Sequence, residues 1–187
     1  MDLSVVTQNY LLYFILPLWL LAGIADWWCH RRTHIDQTSG AKESIIHLLM
    51  LLETGLPLLV ALFFQVNALV IALIVVAFVL HEATALWDVS YAVKHRHVSP
   101  FEQHVHSFLE MLPLMAGSVI LLLHWPQTLA LVGLGDAEPD WSLRLKEPPL
   151  PLGYVFSLLS AVVLLELLPY GEELWRTWRA RRYAAPD

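Results

Sequence analysis

Residues 66–87 read VNALVIALIVVAFVLHEATALW, an apolar run whose only ionisable side chains, His81 and Glu82, lie toward one end. Coiled as a helix at ~1.5 Å per residue, the run is about 33 Å long. That is enough to cross the roughly 30 Å hydrocarbon core of a bilayer. Four similar runs flank it, Tyr10 to Trp28, Ile45 to Phe64, Phe108 to Trp125 and Leu150 to Pro169. Only Gln65, Val66 and Asn67 join the second run to the third, so those two form a tight antiparallel hairpin. The sequence thus predicts an all-α integral membrane bundle of about five transmembrane helices. They are expected near 10–34, 43–64, 66–94, 100–125 and 150–175, with an extramembrane loop over 126–149, in a single domain 1–187.

Composition agrees with a lipid-embedded chain. Of 187 residues, 57% are hydrophobic and only 15% charged, far from the average of soluble domains. A net charge of −6 with no clustered basic face argues against a nucleic-acid partner, which would require Lys and Arg aimed at phosphates. The single cysteine, Cys29, can form neither an internal disulfide nor a Cys-x-x-Cys metal knuckle, so any metal falls to His and carboxylate. The N-terminal run has small residues at Gly23-Ile24-Ala25, where a signal peptidase could cut. It lacks a basic start, however, and continues at helical spacing into Asp26, His30 and His34, which reads as a retained helix.

Basic residues resist translocation and set orientation. Arg31, Arg32 and Lys42 follow the first helix, Lys94 and Arg96 the third, and Arg176, Arg179, Arg181 and Arg182 the fifth. Alternation puts all nine on one side, with Arg144 and Lys146 opposite in an acidic loop. The expected topology is N-terminus outside and C-terminus cytoplasmic, in a bacterial inner membrane. Tryptophans near run ends fit interfacial anchors. Ser99-Pro100-Phe101-Glu102 matches a capping box with Pro at the first helical position, giving Glu102 a capping role.

Eight of the nine histidines then fall near the cytoplasmic helix ends, and His124 alone lies on the far side. Asp26, Glu53, Glu82, Asp88 and Glu110 lie among them. Charged side chains in hydrocarbon cost roughly 2.5–3.5 kcal/mol each even on a mild insertion scale, so a shared partner is expected. Spacing selects candidates. Asp26, His30 and His34 are four apart, as are Glu43 and His47, and Glu102, His106 and Glu110. His81 and Asp88 are seven apart, whereas His104 points largely away from His106. Glu53 lies about 9 Å deeper than His47 at ~1.5 Å per residue. The expected metal set is His30, His47, His81, His104 and His106 with Glu53, Asp88 and Glu110. Asp26 and Glu43 serve either as ligands or as carboxylates that hold a ligating ring. His34, His95 and His97 lie closer to the loops. Gly55 and Pro57 mark a possible break beyond Glu53. Mixed imidazole and carboxylate ligands on facing helices suit two irons, with manganese or zinc as alternatives.

The stretch from His81-Glu82 through His95-Arg96-His97-Val98-Ser99-Pro100-Phe101-Glu102-Gln103-His104-Val105-His106 resembles the histidine boxes of membrane di-iron oxygenases, the fatty acid hydroxylase and sterol desaturase superfamily and its lipid desaturase relatives. His30-x-x-x-His34 resembles the first box. The resemblance spans about 26–110, lacks the adjacent His-His pairs of that group and is richer in acids. It implies two irons, dioxygen activation, a lipid-like substrate drawn from the bilayer and an external electron donor, hence an oxidoreductase of hydroxylase or desaturase type. Two other readings remain open on the residues alone. One is a haem protein of the cytochrome b type with paired axial histidines, and the other a metal-sensing or metal-transporting membrane protein.

Overall fold

The computed structural model describes residues 2–183 of the chain, with the side chain of Tyr183 left aside. The expected domain 1–187 also takes in residues 1 and 184–187, which lie outside the described residues. The architecture is all-α: five helices are long and apolar enough to cross a membrane, and the protein is an integral membrane protein. These are α1 (Leu3–Arg32), α2 (Ala41–Phe63), α3 (Ala68–His95), α4 (Pro100–Leu123) and α6 (Leu152–Arg182), with a short α5 (Trp125–Leu131) between the last two. Their outer faces carry large apolar side chains such as Val76, Leu80, Leu122 and Leu164, suited to lipid tails. Polar and charged side chains are drawn inside.

Helix contacts close into a ring in the order α1, α4, α3, α2, α6 and back to α1. The loops 33–40 and 96–99 and the basic part of α6 lie at one end, here the basic end. There Arg32 stacks over Trp28 at 4.6 Å, Lys42 over Trp87 at 5.7 Å and Arg179 over Trp175 at 5.3 Å. Such cation–aromatic pairs suit the headgroup region, where a charge and a flat apolar ring both find their medium.

Several boundaries differ from expectation for local reasons. α1 begins at Leu3, because the Asp2 side chain accepts from the Ser4 N–H at 3.0 Å and caps it. It ends at Arg32, so His34 lies beyond the helix on left-handed backbone (φ 51) and is exposed. α2 runs unbroken through Gly55 and Pro57. α3 starts at Ala68, capped by Asn67, whose side chain accepts from Val70 N–H at 3.2 Å.

The expected loop 126–149 contains α5, and the rest of it folds back on the α2–α3 turn. Gln65 N–H donates to the Arg144 carbonyl at 2.9 Å, Lys146 N–H to that of Phe63 at 2.8 Å, and the Asn67 side-chain amide to that of Ser142 at 2.6 Å. The backbone groups freed where the helices stop thus find partners in the loop. The loop caps the bundle at this far end.

Candidate metal centre

Five of the ring's helices send polar side chains inward about two turns from the basic end. α1 supplies Asp26 and His30, one turn apart. α2 supplies Glu43 and His47 at the same spacing, α3 Asp88, α4 Glu102 and His106, and α6 Tyr170 and Glu173. Because residues four apart share a helix face, each pair turns inward as a unit.

The three imidazoles form the middle of the cluster. His30 and His47 stack face to face, with centroids 4.2 Å apart and planes 8° from parallel, and His106 stands 6.3 Å from His30 at 65°. Glu173 spans the stacked pair, one carboxylate oxygen 2.9 Å from His30 Nδ1 and the other 2.8 Å from His47 Nδ1. That leaves both Nε2 atoms turned to the other side. His30 Nε2 faces Asp26 at 3.4 Å and Glu102 at 3.6 Å; His47 Nε2 faces Asp88 at 3.3 Å and Glu43 at 3.9 Å. His106 Nε2 lies 2.9 Å from Asp26 Oδ1. Two sets converge tightly enough for an ion, Asp26-His30-His106 and His30-Glu43-His47.

The charge balance is unusual. Asp26, Glu43, Asp88, Glu102 and Glu173 are all buried, and among the described residues Arg96 is the one Lys or Arg side chain that pairs with them. Arg96 reaches Glu43 with Nε at 3.0 Å and a terminal nitrogen at 2.5 Å, and the same nitrogen is 2.6 Å from Glu102. Burial works against the Arg96 charge, but Glu102 and Glu43 outweigh it and raise its pKa above the usual arginine range. Were the imidazoles to ligate as neutral rings, five ionised carboxylates and one guanidinium would leave the charge that two divalent cations cancel. His30 Nε2, His47 Nε2, Glu43 Oε2, Glu102 Oε2 and Asp88 Oδ1 are buried and make no hydrogen bond. Buried polar atoms are normally paired, and five convergent bare donors on ligating residue types are a cation's environment. The donor set therefore fits a pair of metal ions.

No family model, curated protein or solved structure matches this chain. The site's own geometry thus carries its interpretation. Face-to-face stacking of His30 and His47 is unlike the end-on approach from opposite sides that paired haem ligands require.

The structure gathers the sequence candidates His30, His47, Asp88 and His106 with Asp26 and Glu43, but not the others. His104 is exposed and packs on Phe108, since two residues from His106 lies on the opposite helix face. His81, buried with neither ring nitrogen hydrogen-bonded, lines a cavity of ≈ 100 Å³ beside the cluster, together with Glu110. Glu53 accepts from the Thr84 hydroxyl at 2.9 Å and lies outside the donor group. The exposed His34, His95 and His97 stay at the loops.

Three members of the cluster have other assignments on sequence grounds. Glu102 is half of the expected capping box: Ser99 Oγ accepts from Glu102 N–H at 3.1 Å, while the Glu102 side chain turns to His30 and Arg96. Arg96 reads as a topology signal and is instead buried. Glu173 lies beyond the apolar run, although Glu166, Tyr170, Glu173 and Thr177 form a buried stripe at helical spacing that marks an inward face.

Above the cluster, Tyr170 Oη lies 3.1 Å from Asp26 Oδ2 and 3.2 Å from the Gly23 carbonyl. Glu166, on a π-helical turn of α6 (Val163–Leu167), fills the space a side chain at position 23 would take: a Cβ there would lie 2.1 Å from Glu166 Oε2. Gly23→Ala should cost about 1–3 kcal/mol through overpacking. Combining it with Glu166→Ala should recover part of that cost, since contacting residues couple by about 0.5–3 kcal/mol. Unfolding of the four proteins in detergent measures both; strict additivity would refute the contact.

Proposed function

We propose that the chain is a membrane-embedded dinuclear non-haem metal protein, with two iron ions as its expected occupants. It would act as a dioxygen-dependent oxidoreductase of the hydroxylase or desaturase type on a lipid or other apolar substrate. The observation that carries this reading is the buried cluster in which five carboxylates surround three imidazoles, with Arg96 the one Lys or Arg side chain among them in the described residues. His30, His106, Asp26 and Glu102 would hold one ion, and His47, Asp88 and Glu43 the other. Glu173 would fix both rings through Nδ1, the outer carboxylate partner that ligating histidines commonly have.

When bound, the iron pair supplies dioxygen activation and removal of hydrogen from a C–H bond. In the hydroxylase form one oxygen atom would enter the product and the other leave as water, with two electrons from an external donor and two protons from solvent. The chain's own part is to hold the site rigid and dry. Trp19, Leu51, Leu58 and Leu109 line the adjoining cavity and keep bulk water from it. The likeness of residues 81–106 to membrane di-iron histidine boxes points the same way. The nine basic residues at the helix ends nearest the cluster support a cytoplasmic face for it in a bacterial inner membrane, within reach of soluble reductants.

Metal analysis of the detergent-purified protein tests the proposal. Close to two iron, manganese or zinc ions per chain are expected, with no Soret absorption. His30→Ala should remove most of the metal, and His95→Ala, at an exposed ring resting on the carbonyl and ring of Tyr91, should leave it in place. A folded, active chain free of metal would end this reading.

A further inference from the structure

The ring encloses a second, larger cavity of ≈ 700 Å³, bounded by α1, α2, α3 and α4 and roofed by the far-end loop. Membrane bundles pack closely like other protein interiors, and this volume lies in the range of sites that hold one small molecule. Its walls are mainly apolar, among them Leu12, Leu58, Ile74 and Phe78. It shares the walls Trp19, Thr54 and Leu58 with the smaller cavity beside the metal cluster, so the two adjoin across those side chains.

The two ends of this space differ in chemistry. Beyond its basic end, the adjoining smaller cavity is lined by His47, His81 and Asp88. At the far end it is lined by His124 and Lys146. The Lys146 ammonium donates to the Ala61 carbonyl at 2.7 Å, and among the described residues no carboxylate pairs with it. Burial lowers the Lys146 pKa, and burial together with Lys146 lowers that of His124, as expected where positive charge lacks a counter-ion. The neighbouring Glu147 also lines the mouth and is exposed to solvent.

From Ala61 to His47 along α2 is about 21 Å at ~1.5 Å per residue. One lipid tail fills about 15 Å, half the hydrocarbon core, and the Lys146 and His47 side chains take up part of the difference. We infer that this cavity binds a long-chain fatty carboxylate, its head group on Lys146 beside His124 and its methyl end directed past Trp19 and Thr54 toward the metal cluster. One ammonium and one imidazole match a singly charged head better than a phosphate monoester, which carries about −1.5 to −2. Binding is independent of the metal reading. The consequence that oxidation falls at the methyl end rests on it.

The test uses the full chain in nanodiscs of neutral phospholipid, with palmitate brominated either at its terminal carbon or beside the carboxyl group. Bromine quenches tryptophan on contact. The terminally brominated probe should quench a fluorescence component that disappears in Trp19→Phe, and the head-brominated probe should leave that component unchanged. Lys146→Gln should weaken binding about tenfold, the value of one charge-assisted hydrogen bond, and Lys146→Arg should retain it. Equal quenching by both probes, or an affinity indifferent to Lys146→Gln in protein of unchanged helicity, overturns the inference. So does equal binding of a brominated two-tailed lipid. Each measurement is made on chelator-treated and metal-loaded protein. A chain that loads metal but fails the quenching test refutes only the fatty-acid site, whereas one that passes it without ever loading metal refutes only the metal reading.

Discussion

If the cluster holds two ions as proposed, Glu173→Gln is expected to reduce them toward one, with affinity for the lost ion down 10- to 100-fold, the usual effect of removing a carboxylate behind a ligating histidine. The reason lies in what the two oxygens accept. With neutral rings and an ionised Glu173, Nδ1–H of both His30 and His47 would donate to its two oxygens, leaving each Nε2 with a free lone pair. An amide offers one acceptor and one donor group. The ring facing the amide nitrogen must then move its proton to Nε2, which can no longer ligate. Glu173→Ala frees both rings and should lower both affinities. Metal competition with a chelator of known strength, run beside circular dichroism, measures the effect. Undiminished affinity in Glu173→Ala would show that the rings are oriented by packing alone.

Arg96→Ala should destabilise the metal-free protein by about 3–5 kcal/mol, the usual cost of leaving a buried ion-pair partner alone. Here both Glu43 and Glu102 lose the one guanidinium paired with them among the described residues. The same variant should gain more stability from added divalent ion than the parent does, because metal then supplies the missing positive charge and binding to the native state alone is stabilising. Unfolding in mixed micelles, with and without metal, reads both differences. A variant that unfolds like the parent when metal-free would mean that the two glutamates are protonated there, and the charge argument for two ions would lapse.

Much of the architecture is legible in the chain because lipid imposes a simple rule: runs of about 20 apolar residues must be helical. The pairs Asp26/His30, Glu43/His47 and Glu102/His106 are equally legible, since four-residue spacing fixes a common face whatever lies opposite. What lies opposite is set by the order of helices around the ring, which spacing does not encode. Glu53 and Glu110 have suitable chemistry and depth, yet Glu53 faces Thr84 and Glu110 borders the small cavity. Arg96 and Glu173 were hidden for a different reason. Both lie where apolar runs give out, where a charge reads as solvent-exposed, and only the continuation of α6 to Arg182 carries Glu173 back over the bundle.

The closed ring also orders events in time. The side chains of the centre come from positions 26 to 173, and the helix that holds both stacked histidines in place is the last of the ring to be synthesised. Until α6 inserts between α1 and α2, four helices must keep Asp26, Glu43, Asp88 and Glu102 within a bundle open on one side. Assembly of the proposed metal pair would therefore wait on the fifth helix, and a ribosome stalled before α6 would release a chain with the candidate ligands but no complete cluster.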